Sequence, residues 1–111
     1  MTRFLIAGAG GMLGTALQTV LAARGMGVTA PPEADFDITD PAVVALRVER
    51  FASALEPGER GVLVNAAAYT NVEQAEEHPD VAFSVNEHGA RRLAEAARDA
   101  GRGFVHVSTD F

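Results

Sequence analysis

Four glycines fall within residues 8–14 of the stretch IAGAGGMLGTAL, between an apolar run and a segment with helical spacing. Glycine is a costly residue inside regular structure, weakening an element by about 0.5–1 kcal/mol relative to alanine. Its concentration at one point therefore needs a local reason. Residues 3–9, RFLIAGA, form a short β-type run ending in glycine, and from Met12 onward Leu13, Leu17, Val20 and Leu21 take helical spacing up to Arg24-Gly25. A strand, a glycine turn and a helix in that order restrict the chain to the α/β folds.

The rest of the sequence repeats the alternation. MGVTA at 26–30 reads as a short strand stopped by Pro31-Pro32, and Asp40-Pro41 reads as an N-cap with proline at the first helical position. Val44, Val48, Phe51 and Leu55 make the apolar stripe of that second helix, and residues 61–68, GVLVNAAA, begin as a strand covered on both faces. Asn71 to Gln74 has the pattern of a capped helix start, with Pro79 either interrupting that helix or opening another. Val81, Val85, Gly89, Leu93 and Ala97 mark a long helix over 80–100, and residues 104–108, FVHVS, are a last strand. Alternating strands and helices predict parallel pairing with helices on both faces, a doubly wound, Rossmann-like sheet.

In such a fold the first glycine turn lies at the carboxyl edge of the sheet, and the helix after it directs free N–H groups and its positive dipole end at whatever binds there. A dinucleotide pyrophosphate suits that position. Gly8 permits the turn, Gly11 leaves room for a phosphate, and Gly14 lets the helix lie close to the strand. The spacing is Gly8-x-x-Gly11-x-x-Gly14, with Leu13 standing where the commoner Gly-x-Gly-x-x-Gly pattern has its last glycine. The competing reading is a flexible connection in a small α/β domain.

Composition narrows the partners. The formal net charge of −6 speaks against a general nucleic-acid binder, all nine basic residues are arginine, and there is no cysteine for disulfides or thiolate metal sites. No apolar run reaches the length of a membrane span and no signal-peptide pattern opens the chain, so a cytoplasmic protein is expected. His78, His88 and His106 lack metal-ligand spacing, Glu73, Glu76 and Glu77 read as a solvated helical face, and His106 reads as a packed or turn-facing residue within its strand.

Taken together, GAGGMLG, DITDP, VNAAAYTNVEQAEEHP, FSVNEHGARRLAEAA and VHVSTDF resemble the extended short-chain dehydrogenases, and among them most closely the dTDP-4-dehydrorhamnose reductases. That resemblance implies hydride transfer from NADPH or NADH to the C4 ketone of a nucleotide sugar, dTDP-4-dehydro-L-rhamnose. It places Gly8, Gly11, Met12, Leu13 and Gly14 along the pyrophosphate and Asp37 with Ile38 beside the adenine. Ala67, Ala68, Tyr69 and Thr70 would cover the cofactor's ribose and phosphates. It makes Thr109 the hydroxyl that polarises the substrate carbonyl and sets Asp110 near the sugar. A homodimer and a Mg2+ ion are further implications of the resemblance.

Each assignment has a plainer competitor: Asn65 as a strand-end residue satisfying backbone groups, Tyr69 as wall packing, Thr109 and Asp110 as strand terminators. The resemblance also implies a Tyr-x-x-x-Lys pair, which residues 1–111 lack, since the single tyrosine is Tyr69 and no lysine is present. On that ground the chain reads as the N-terminal, cofactor-binding part of such a reductase, a single domain over 1–111 with the substrate domain absent and the fold incomplete at its C-terminus. Cofactor preference leans to NADPH because Ala30-Pro31-Pro32 offers no acidic residue at the end of the second strand. Two other classes fit less of the pattern: a non-catalytic binding subunit of the same fold, like the regulatory subunit of methionine adenosyltransferase, and a sugar epimerase or dehydratase relative.

Overall fold

The computed structural model describes residues 1–66 and 79–106, and the side chains of 1–66 and 87–106. Strand β1 (Thr2–Ala7) leads into helix α1 (Met12–Ala23) and strand β2 (Gly27–Thr29). A 3-10 turn (Glu33–Asp35) precedes helix α2 (Pro41–Ser53), which is followed by strand β3 (Arg60–Asn65), helix α3 (Pro79–Asp99) and strand β4 (Gly103–His106).

The four strands form one sheet in the order β2-β1-β3-β4, and every pairing is parallel. Leu5 stands opposite Thr29 on one side and Leu63 on the other, and Leu63 opposite Phe104. This is the doubly wound, Rossmann-like architecture that the alternation predicts. It puts the carboxyl ends of β1, β3 and β4 side by side at one edge.

One face of the sheet carries the main core. Leu5, Ala7 and Leu63 from the strands pack against Val44, Val48 and Phe51 of α2, against Leu93 and Ala97 of α3, and against Phe36 and Ile38 of the loop between β2 and α2. The α2 stripe is the one read from spacing, with Leu55 half-buried at its end. Complete burial of side chains of this size contributes about 1.5–3 kcal/mol each. Asp40 caps α2 as its sequence suggests, its carboxylate accepting from Ala42 N at 3.0 Å and Val43 N at 3.4 Å.

Helix α1 departs from its expected stripe. Leu13 is 37% exposed and Val20 49% exposed, while Gly14 is buried and Leu17, Gln18 and Leu21 are half-buried. The rotation of the helix is set by Gly14, whose close approach to the turn fixes the inward line as 14, 17, 18 and 21 and carries the 13–20 line outward. The helix ends in a closing turn in which Gly25, at φ +72°, allows Met26 N to reach Leu21 O at 3.0 Å. β3 is shorter than its apolar run and stops at Asn65, and of the strand expected over 104–108, residues 107 and 108 lie outside the described residues. The helix-start pattern at Asn71 to Gln74 lies outside the described residues, and α3 opens at Pro79. Among the described residues no helix is long and apolar enough to cross a membrane.

Candidate dinucleotide-binding site

At the end of β1 the backbone turns through Gly8, whose φ of +81° is a conformation that disfavours any side chain. Gly11 N donates to Gly8 O at 3.2 Å, closing the turn, and Thr15 N donates to Gly11 O at 2.9 Å as the first bond of the helix. Side chains brace the turn from below. Gln18 Nε2 donates to Ala9 O at 2.9 Å and Gly14 O at 3.2 Å, and Thr15 Oγ1 donates to Ala9 O at 3.3 Å. These two were not singled out from sequence, although Gln18 sits in an otherwise apolar inward line, which is the signal that would have found it.

The glycines divide by what they do. A Cβ on Gly14 would collide with the Gly8 carbonyl and lie 2.9 Å from Ala9 Cα, so this residue serves helix-to-strand contact. A Cβ on Gly11 would meet its nearest neighbour, Gly8 O, at an ordinary 3.6 Å, and one on Gly10 would meet nothing within 4 Å. Gly11 has extended backbone angles, φ −78° and ψ 172°, that any residue adopts. Among the described residues nothing requires glycine at these two positions. The space their missing side chains leave is the space in front of α1.

That helix end is open to an anion. Gly11 offers no side-chain cap and the first turn carries no acidic residue, so the helix itself sets no negative side chain against its leading N–H groups and the positive end of its dipole. Met12, 92% exposed, and Leu13 stand at the rim. A pyrophosphate fits this cradle by charge and by room.

In the loop between β2 and α2, Asp37 is exposed and its Oδ1 accepts from Thr39 Oγ1 at 2.6 Å and from Thr39 N at 2.9 Å. These bonds, chiefly the one from the Thr39 hydroxyl, hold its carboxyl below the usual carboxylate range. Ile38 is placed differently from its neighbour. It is buried, with its side chain against the space at Gly89 of α3, and its carbonyl accepts from Arg92 Nη1 at 3.3 Å. Asp37 alone of this pair presents a side chain to solvent.

The structure also brings arginines to the end of β2, where the sequence has only Ala30-Pro31-Pro32. Arg47 of α2 donates from Nε to Asp35 O at 2.7 Å, and with Arg3 and Arg50 it lines a cavity of about 160 Å3 that Thr29 and Pro31 also border. Arg3 is paired with Glu59 at 2.8 Å, and among the described residues neither Arg47 nor Arg50 has a carboxylate partner. Arg47 was missed because it lies on the helix, distant in sequence from the strand end it reaches.

At the far side of the edge stands Asn65, the last residue of β3 and fully buried. Its Nδ2 lies 3.0 Å from Nδ1 of His106, the last residue of β4 and its register partner. His106 is exposed rather than packed, stacked on Phe104 with centroids 6.4 Å apart and planes 11° from parallel. Both of the plainer expectations, for Asn65 as a backbone-satisfying residue and His106 as a packed one, thus miss the bond between them. Ala67, Ala68, Tyr69, Thr70, Thr109 and Asp110 lie outside the described residues. Among the described residues no three His, Asp or Glu side chains are grouped to hold a metal ion, so the structure gives Mg2+ no support.

A braced glycine turn that opens a helix at the carboxyl edge of a parallel sheet defines a doubly wound α/β protein, a class in which ligands bind at that edge. Comparison with known proteins is more specific. A family model described as the RmlD substrate binding domain matches residues 2–111, and the chain belongs to that family. It is 42% identical over 109 residues to a dTDP-4-dehydrorhamnose reductase of Streptomyces griseus, covering 98% of this chain and 34% of that protein. A dTDP-4-dehydrorhamnose reductase of Mycobacterium tuberculosis is 40% identical over 109 residues, again 98% of this chain and 33% of that protein. The crystal structure of a dTDP-4-dehydrorhamnose reductase from Bacillus anthracis in complex with NADP superposes with a TM-score of 0.82 at 34% identity, covering 98% of this chain and 37% of that one. The chain spans about a third of the length of these relatives.

Proposed function

We propose that these residues form the cofactor-binding part of a nucleotide-sugar reductase that reduces dTDP-4-dehydro-L-rhamnose with NADPH. The observation that carries this reading is the pair Gly10 and Gly11, glycines that no contact among the described residues and no positive φ demands, in front of an uncapped helix start. Membership of the family and the likeness to a reductase in complex with NADP support the same cofactor.

In this reading the N–H groups at the start of α1 hold the pyrophosphate, Met12 and Leu13 border it, and Asp37 lies toward the adenosine end. Arg47 and Arg50, near the end of β2, supply positive charge for a ribose 2′-phosphate and favour NADPH over NADH. Ala67 to Thr70 follow β3 and cover the cofactor. When bound, the nicotinamide supplies a hydride. Thr109, three residues beyond β4, donates a hydrogen bond to the substrate carbonyl where negative charge develops, with Asp110 beside the sugar. Residues 1–111 hold no Tyr-x-x-x-Lys pair, so the proton taken up by the new alkoxide does not come from such a pair within this stretch.

Calorimetric titration with NADPH tests the reading directly. Gly11→Val fills the cradle with a branched side chain at a backbone position that accepts it, so NADPH affinity falls more than about tenfold while the melting temperature changes little. Equal affinity in wild type and variant would assign the glycines to packing and overturn the proposal.

A further inference from the structure

In the loop between β2 and α2, Phe36 and Ile38 are buried in the core and Asp37 between them faces solvent. Connecting segments move more than the elements they join unless neighbouring groups tie them down. Helix α3 ties this one at two points. A Cβ on Gly89, a buried residue of that helix, would collide with Ile38 Cδ1 and lie 2.8 Å from Ile38 Cγ1, so the Ile38 side chain is seated in a notch that glycine leaves open. Three residues on, half-buried Arg92 donates from Nη1 to Ile38 O at 3.3 Å. Glycine is a poor helix former, and Gly89 has no positive φ that calls for it. The notch weakens α3, and what it provides in return is the seat of Ile38. Arg92 reaches further than the carbonyl. The Asp37 carboxyl, lowered chiefly by the Thr39 hydroxyl, is lowered further by the positive charge of Arg92.

We infer that Gly89 and Arg92 of α3 are positioning residues for the adenine end of the cofactor: the notch seats the Ile38 side chain, the guanidinium holds its carbonyl, and together they fix where the Asp37 carboxylate stands. The inference rests on the reductase reading, which sets Asp37 toward the adenosine. An ionised carboxylate only accepts hydrogen bonds, so at that place it pairs with the exocyclic amine of adenine and repels the oxygen that hypoxanthine carries at the same ring position. A site built around one such donor discriminates against the analogue that lacks it, provided its acceptor is held in place. Gly89 and Arg92 touch neither base. They act through Ile38, and their effect is read as base preference.

The test compares NADPH with its hypoxanthine analogue by calorimetric titration. Wild-type protein should bind NADPH about tenfold tighter than the analogue, and Gly89→Ala and Arg92→Met should each bring the two within about threefold. Ile38→Val removes the Cδ1 carbon that the new Cβ would strike, so Gly89→Ala combined with Ile38→Val should recover the preference, and Arg92→Lys, which keeps a donor, should retain more of it than Arg92→Met. The Thr39 amide signal in NMR should shift in Gly89→Ala and return toward wild type in the double variant. Should Gly89→Ala not fold, the two Arg92 variants decide alone. A wild type that binds both nucleotides equally, a preference unchanged in Arg92→Met, or a double variant no better than Gly89→Ala would each overturn the inference. Wild-type protein that binds neither nucleotide while the Thr39 signal shifts and returns as expected would reject the reductase reading and uphold the seating of Asp37 by α3.

Discussion

The carbonyl oxygen of Gly8 occupies the place where a side chain on Gly14 would have to sit, six residues along and one turn into α1. This contact sets the distance of the helix from β1 and, through its rotation, which residues of α1 turn inward. Gly14→Ala should therefore destabilise the protein by about 1–3 kcal/mol or more, since neither the Gly8 carbonyl nor the Ala9 Cα can yield without shifting the turn. Gly11→Ala should leave stability within about 0.5 kcal/mol of wild type. Urea denaturation of both variants distinguishes them, and comparable losses would refute the division of labour between the two glycines.

Arg47 extends its guanidinium to the backbone of the turn after β2. Replacing it with alanine should lower NADPH affinity by about tenfold or more and leave NADH affinity within about twofold, because only NADPH carries the extra phosphate. Parallel titrations with the two cofactors decide the matter. A loss shared equally by both would show that Arg47 supports the loop and does not read the phosphate.

The Asp37 carboxylate is held below its ordinary range by the Thr39 hydroxyl and amide. A group whose folded value is depressed contributes stability that is fully present above its unfolded value and is lost as pH falls through the folded value. The Asp37–Thr39 turn should thus be intact at neutral pH and open only below the ordinary carboxylate range. An NMR titration of the Thr39 amide should show this, and Thr39→Val should raise the Asp37 midpoint. A midpoint unchanged by that substitution would remove the hydroxyl as the cause.

Residues 1–111 alone should oxidise NADPH in the presence of dTDP-4-dehydrorhamnose no faster than a protein-free control. A positioned general acid is worth about 10²–10⁴-fold in such a step, and neither a lysine nor a second tyrosine is present to make the pair the resemblance implies. Turnover well above the control, lost in Thr109→Val, would show that another proton donor operates within this stretch.

The architecture was legible because its signals are local. A run ending in Gly8, an Asp40-Pro41 helix start, and a stripe of Val44, Val48 and Phe51 each state their element without reference to the rest of the chain. The inward face of α1 was not, because a tertiary contact at Gly14 overrode the apolar line through Leu13 and Val20. In the site, the roles of Gly8 and Gly14 follow from turn and packing rules that spacing expresses. Gln18, Arg47 and the Asn65–His106 bond could not be found that way, since each depends on a partner brought near only by folding. Ile38, which the resemblance sets beside Asp37, has its side chain buried against α3 at Gly89, a contact that only the folded chain reveals.

The strand order has a consequence for how the molecule comes to be folded. β1 lies in the interior of the sheet, yet its β3 neighbour is about half the chain away, Thr2 standing opposite Arg60. During synthesis the glycine turn emerges well before β3 and waits, its strand bordered at most by the three-residue β2, until β3 has left the ribosome. Closure of that long loop must come before the central pairing can reward it, which makes the topology slow to nucleate and leaves the apolar residues of β1 open to association in the interval.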